Sequence, residues 1–101
     1  MNTKGKKLVK ILEKELGSMN FAGFLRGARA SKDLSQVEMA KILGIARSTL
    51  CDIEKGRHLV SPGMAARIAK AVGLSVDIAV LAALQDQLKK ANLKMKVMLA
   101  V

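Results

Sequence analysis

The sequence predicts an all-α fold of about five short helices, preceded by an extra N-terminal helix and followed by a β-like tail. Apolar residues recur at helical spacing along most of the chain. Ser, Asn and Asp residues that suit helix starts, glycines that suit helix ends and one proline divide these segments from one another. Half of the 101 residues are hydrophobic, so the chain can bury one modest core.

The first two predicted helices lie in the N-terminal third of the chain. Residues 6–16 place leucine and isoleucine on one stripe, with Lys and Glu opposite, and Gly17 ends this segment. Asn20 suits the cap of a second helix. Its inward residues are Phe21, Phe24, Leu25 and Ala28.

Two short helices follow, joined by a tight glycine turn. Ser35 and Glu38 form a capping-box pattern ahead of a helix that ends at Gly44. Residues 46–55 form the next helix, which Gly56 ends. This second helix buries only Leu50 and Ile53, together with the turn residue Ile45.

The last two helices and the tail complete the chain. Ser61 and Pro62 open a helix through Val72, and Ser75 opens one that runs to about Ala91. Lys then alternates with apolar residues, which predicts a short strand. We therefore divide the chain into a basic amphipathic helix (residues 1–19), a helical domain (residues 20–91) and a strand-like tail (residues 92–101).

Charge and composition limit the function. The chain has 18 Lys and Arg against 8 Asp and Glu, a net charge of +10. This favours nucleic acid as partner, ahead of an anionic membrane or a charge that serves solubility alone. Phe21 and Phe24 are the only aromatic residues, which argues against single-stranded RNA.

Other classes of protein receive little support. One cysteine, Cys51, excludes an internal disulfide and fits a reducing cytoplasm. We see no signal peptide and no apolar run of about 20 residues that would span a bilayer. No catalytic triad, phosphate-binding glycine loop or metal-ligand cluster stands out, so we expect neither an enzyme nor a cofactor.

The segment LSQVEMAKILGIARSTLCDIEKG, residues 34–56, carries the functional prediction. Its second helix leaves a wide polar face with no intramolecular role. That face contains Arg47, Ser48, Cys51, Asp52 and Lys55. Short polar side chains on a helix suit the major groove of B-DNA, where base edges present distinguishable donors and acceptors.

Residues 21–84 resemble the lambda-repressor/Cro-like helix-turn-helix family. The matching positions are Leu34, Ser35, Gln36, Met39, Ala40, Leu43, Gly44, Ile45, Leu50, Ile53, Glu54 and Gly56. The resemblance implies a five-helix domain that binds double-stranded DNA and regulates transcription, here in the cytoplasm on the nucleoid. Ala46 departs from the family, which usually has a Ser or Thr cap at that position.

The resemblance also implies roles for individual residues. Gln36 would contact a phosphate and brace the start of the recognition helix. Thr49, Arg57 and His58 would lie near the DNA backbone, and Arg29 would form an ion pair with Glu54. The positions implied to face the groove are Arg47, Ser48, Cys51 and Asp52.

Several of these roles have alternatives. Arg47 reads guanine or contacts a phosphate, and Ser48 contacts a base or a phosphate. Asp52 accepts from cytosine, orients Arg47 or faces water. A redox role for Cys51 and metal binding by His58 are weaker readings. Two lysines near the end of the last helix, Lys89 and Lys90, suit either a solvated face or a contact.

The last predicted helix has a second apolar stripe, which indicates a homodimer. We place the dimer interface at Leu81, Leu84 and Leu88. A dimeric repressor is the leading interpretation. The alternative is an antitoxin, because TLCDIEKGRHLVSP and ALQDQLKKANLKMKV resemble the antitoxin-like branch of the same family, which implies a toxin protein as partner. The unpaired strand edge of the tail suits pairing with its symmetry mate or with another protein's sheet. An RNA- or membrane-binding module led by the basic N-terminal helix is a further alternative.

Overall fold

The structure is a computed structural model that describes residues 20–95 and 97–98. These residues form five α-helices and no strand. The helices are α1 (Phe21–Ser31), α2 (Gln36–Leu43), α3 (Arg47–Glu54), α4 (Pro62–Val72) and α5 (Val76–Lys90). The predicted all-α core is confirmed. The helix predicted over residues 6–16 lies outside the described residues.

Four of the helices begin at the caps that the sequence predicts. The side chains of Asn20, Ser35, Ser61 and Ser75 each accept a hydrogen bond from an N–H of the first turn. Glu38 completes the capping box, since its carboxylate accepts from the Ser35 N–H at 3.0 Å. The Ser35 N–H, and then its hydroxyl, lower the pKa of Glu38 because they favour the carboxylate.

The five helices enclose one apolar core. Helices α4 and α5 pack against each other, and α1 contacts both α3 and α5. Helix α2 contacts α3 and α4, so α3 rests mainly on α1 and α2. The largest fully buried side chains are Phe21, Leu25, Met39, Leu50 and Ile53. Within the described helices, none is long and apolar enough to cross a membrane.

A contact between the two ends of the domain was not predicted from the sequence. The carboxylate of Asp86 on α5 accepts from the backbone N–H of Phe21, the first residue of α1, at 3.0 Å. One of the free N–H groups at the start of α1 therefore has a partner 65 residues away. Burial raises the pKa of Asp86, and the Phe21 N–H offsets part of that effect.

The tail runs beside α5 but forms no strand in its described part, residues 93–95 and 97–98. The side-chain amide of Gln85 donates to the carbonyl oxygen of Met95 at 2.8 Å. It also accepts from the N–H of Val97 at 3.1 Å. One side chain thus makes the two bonds that a neighbouring strand would make. A strand needs a backbone partner, so the strand-like tail remains a prediction.

The Asp86 contact predicts how stability depends on pH. Asp86→Asn keeps an acceptor for the Phe21 N–H and removes a partly buried charge, whereas Asp86→Ala leaves the N–H unpaired. We expect Asp86→Ala to lower the free energy of unfolding by about 1 kcal/mol at pH 7. Asp86→Asn should match or exceed the wild type in urea denaturation at pH 7.

The direction in which the free energy of unfolding changes with pH follows from the raised pKa of Asp86. Protonation favours the folded state, so this stabilising contribution is present at acid pH and is lost as pH rises through the folded-state pKa. The wild type should therefore gain stability relative to Asp86→Asn as pH falls from 7 to 4. A loss over that interval would contradict the account.

Candidate nucleic-acid interface

Helix α3 has one buried face and one open face. Leu50 and Ile53 are fully buried, and they anchor the helix to the core. On the other side Arg47 and Ser48 are exposed. Thr49, Cys51 and Asp52 are half-buried, and Lys55, Arg57 and His58 beyond the helix are exposed. The structure therefore brings the predicted groove-facing residues together on one accessible surface.

The two ends of α3 are held differently. Ala46 takes the extended backbone conformation of an N-cap but makes no side-chain cap bond. At the other end, the backbone and side chain of Glu54 both accept hydrogen bonds from other helices. The helix is thus fastened at its C-terminus rather than at its start.

Glu54 is the buried charge that fastens α3. Its side chain is only 3% exposed. Arg29 on α1 donates to the two carboxylate oxygens, from Nε at 2.9 Å and from Nη2 at 3.0 Å. A two-bond pair of this kind fixes direction as well as distance. The residues for which the family resemblance implies an ion pair are therefore in contact in the structure.

Arg29 also ties a third segment to this pair. Its Nη1 donates to the carbonyl oxygen of Leu34, in the connection between α1 and α2, at 3.0 Å. The hydrogen bonds to Glu54 raise the pKa of Arg29, because they favour the charged guanidinium. The arginine is therefore a cation at neutral pH.

Gln36 acts at a different place from the one expected. Its Nε2 donates to Oε1 of Glu54 at 3.3 Å. Gln36 thus braces the end of α3, and the described residues include no hydrogen bond from its side chain to the start of that helix. The reason is that the Glu54 side chain is buried where α1 and α2 both reach it. Its Oε1 accepts from Arg29 on α1 and also faces Gln36, the first residue of α2.

Arg26 is a functional residue that the sequence reasoning missed. Its Nη1 donates to the backbone carbonyl oxygen of Glu54. This bond satisfies one of the carbonyl groups left free at the end of α3. Arg26 precedes Arg29 by one helical turn and so shares its face. That spacing is the signal in the sequence from which a contact between Arg26 and the end of α3 could have been predicted.

Asp52 links α3 to the loop that follows it. Its backbone carbonyl accepts from the N–H groups of Arg57 at 2.9 Å and His58 at 3.3 Å. Its carboxylate lies 3.9 Å from Nη1 of Arg57, with both side chains at least half exposed. The arginine paired with Asp52 is therefore Arg57, and the alternative that Asp52 orients Arg47 finds no hydrogen bond or ion pair among the described residues.

The residues predicted for the dimer interface differ in accessibility. Leu81 is 4% exposed and lies inside the chain, so it has little surface to offer a partner. Leu84 and Leu88 are half-buried. The predicted interface is corrected at this one position, because the Leu81 side chain is buried within the protein's own interior.

The open surface is electropositive. In the described ranges the ion pairs are Arg29 with Glu54 and Arg57 with Asp52. Arg47 and Lys55 thus have no carboxylate partner within this part of the chain. The same ranges contain no group of three His, Cys, Asp or Glu residues placed to hold a metal ion. The surface is therefore suited to contact with an anion.

The buried pair predicts a clear stability difference. Arg29→Met leaves Glu54 buried without its cation and should lower the free energy of unfolding by about 3 kcal/mol in urea denaturation. Arg29→Met with Glu54→Leu should recover most of that loss, because no unpaired charge remains. Arg67→Met, at an exposed arginine of α4, is the matched control. A loss below about 1 kcal/mol for Arg29→Met would contradict the buried pair.

Comparisons with known proteins agree with this geometry. Residues 20–84 match a protein family described as a helix-turn-helix domain. The chain is 40% identical over 65 residues to the ImmF control region 10 kDa protein of Bacillus phage phi105, covering 64% of this chain and 67% of that protein. No solved structure matches the chain significantly.

A second relative comes from an archaeon. The chain is 40% identical over 53 residues to the uncharacterized HTH-type transcriptional regulator MJ0272 of Methanocaldococcus jannaschii, covering 52% of this chain and 80% of that protein. The family match spans well over half of the chain, including α2, α3 and the ion pair between Arg29 on α1 and Glu54 on α3. The chain therefore belongs to the helix-turn-helix family of DNA-binding transcriptional regulators.

Proposed function

We propose that the protein is a dimeric repressor that reads specific sequences of double-stranded DNA with α3. The observation that carries this proposal is the two-faced character of α3. Leu50, Ile53 and Glu54 fasten one face to the core, which leaves the opposite face of short polar groups open. A rigidly held helix with such a face fits the major groove.

The base edges are read by the residues on the open face. Arg47 at the start of α3 is the main reader, since a guanidinium can bond guanine at two positions. Ser48, Cys51 and Asp52 complete the surface that meets the bases. Asp52 also accepts the loop N–H groups through its backbone, so the side chain's position is tied to that of Arg57.

The DNA backbone is contacted by the residues around that face. Gln36 donates one amide N–H to Glu54, and its second N–H, which has no partner among the described residues, is assigned to a phosphate. We assign further phosphate contacts to Thr49, which is half-buried, and to the exposed residues Lys55, Arg57 and His58. Phosphate contacts set the register of the protein on the duplex without selecting sequence.

A dimer would supply a second copy of α3 to read the second half-site. One helix-turn-helix contacts too little DNA for useful specificity alone. Leu84 and Leu88 on α5 are the partly exposed apolar residues that we assign to the dimer. The phage relative's name refers to a control region, which supports a regulatory role, and repression is the regulatory outcome that we propose.

Random-site selection tests this function. Wild-type protein should enrich two inverted half-sites about one helical turn, roughly 10 base pairs, apart. Arg47→Ala should flatten the preference at one position of each half-site, a cost of about 1–3 kcal/mol. Arg57→Ala should weaken binding to all sequences alike and reduce the salt slope by about 1.

Arg67→Ala is the matched control, because it removes an exposed arginine from α4, away from α3. It should leave both the selected sequence and the salt slope nearly unchanged. An unchanged sequence preference in Arg47→Ala would refute the assignment of α3 as the reading helix. Enrichment of single half-sites would refute the dimer.

The antitoxin alternative is favoured by the geometry of the tail. Gln85 holds residues 95 and 97 in place, while Leu93, Met95 and Met98 are exposed. Exposed apolar side chains in a tail that the sequence predicts to be strand-like suit strand addition to another protein. Removal of residues 92–101 should then abolish a co-purifying protein and leave DNA affinity intact. Loss of DNA binding without loss of any partner would argue against a toxin.

A further inference from the structure

A cleft next to α3 extends beyond the surface that the proposed function uses. Its volume is about 410 Å³. Three parts of the chain form it: the start of α1, the end of α3 with the following loop, and the end of α5. Its floor includes Phe21, Ile53 and Val60, all of which are buried. The shape of the cleft therefore depends on the packing of the domain core.

Basic side chains dominate the walls of this cleft. The arginines and lysines that line it are Arg26, Lys55, Arg57, Lys89 and Lys90, and His58 joins them. The described part of the chain gives only Arg57 a carboxylate within ion-pair distance, and that pair is long and exposed. Convergence of cations from three elements is unfavourable unless an anion offsets their repulsion.

One carboxylate, Asp86, also lines the cleft. It accepts from the Phe21 N–H, so one of its oxygens is directed at the start of α1. A single engaged carboxylate does not neutralise five basic side chains. The cleft therefore retains a positive potential that suits phosphate.

The cleft is continuous with the surface assigned to the DNA backbone. Lys55, Arg57 and His58 line the cleft and also belong to that surface. A phosphate chain that follows the loop from Arg57 would next meet Lys89 and Lys90 at the end of α5. A small anion would occupy only the cleft, whereas a polyanion could contact the cleft and the adjoining surface together. The continuity of the two therefore favours an extended polyanion.

We propose that the cleft binds the phosphodiester backbone of DNA flanking the half-site, with Arg26, Lys89 and Lys90 as additional phosphate contacts. This inference rests on the proposed function, since it extends the same DNA-binding surface. The flanking contacts carry no sequence information and add affinity through release of counterions. The protein should therefore need a duplex longer than the bases it reads.

Lys89→Gln with Lys90→Gln tests the cleft in the full-length chain. Both lysines lie in the last turn of α5. The matched control is Lys41→Gln with Lys70→Gln, two exposed lysines in the last turns of α2 and α4 that lie outside the cleft. Both variants lose two positive charges and the same favourable interaction with a helix C-terminus.

The cleft variant should bind a duplex with long flanks about tenfold more weakly than the control variant at moderate salt. Its salt slope should fall by about 2, and its selected sequence should not change. A duplex trimmed to the half-sites should bind both variants alike. Equal affinity of the two variants for the long duplex would overturn the proposal.

Two further measurements separate other causes. If the cleft variant lost binding of inorganic tripolyphosphate but kept its affinity for the long duplex, the cleft would serve a free anion and the proposal would be wrong. If the wild type lacked sequence preference, the proposed function would fail. The salt slope on random-sequence duplex would still report the cleft contacts in that case, because they do not depend on sequence.

Discussion

A buried carboxylate at the end of α3 sets the positions of α1, α2 and α3 relative to one another. Glu54 is removed from water, which is costly for a charge unless its hydrogen bonds are satisfied. Arg29 supplies two of those bonds from α1, and Gln36 supplies a third from α2. Since Arg29 also bonds the connection before α2, one ion pair fixes α1, α2 and α3 relative to one another. A displaced α3 would leave the charge unpaired.

This constraint explains why α3 is secured at one end. Arg26 and the Glu54 ion pair hold the C-terminus of α3, and Asp52 holds the loop that follows. The start of the helix at Ala46 has no side-chain cap. Arg47 therefore projects from the less restrained end, which would let this proposed base-reading residue adjust while the proposed backbone contacts remain fixed. The basic cleft adjoins the secured end, where a stationary phosphate contact is most useful.

The sequence predicted what depends on local chemistry. Capping residues such as Ser35 and Ser61 marked helix starts correctly, because a cap bond spans only a few residues. It did not predict the bond from Phe21 to Asp86 or the direction of Gln36, because those contacts join distant segments. Leu81 was predicted at the dimer interface but is buried for a related reason. Helical periodicity identifies an apolar stripe but does not show which part of the protein covers it. The ion pair of Arg29 was expected only from the family resemblance.

The most direct test of the account is to follow the Arg29 Nε–H signal by NMR while a selected duplex is added. If Glu54 holds α3 as described, the backbone amides of Arg47, Ser48 and Asp52 should shift on binding. The Arg29 Nε–H signal should stay in place and remain protected from exchange, because its bond to Glu54 persists in the complex. Loss of that protection with unshifted α3 amides would contradict the account, since Arg29 would then leave Glu54 to bind DNA itself.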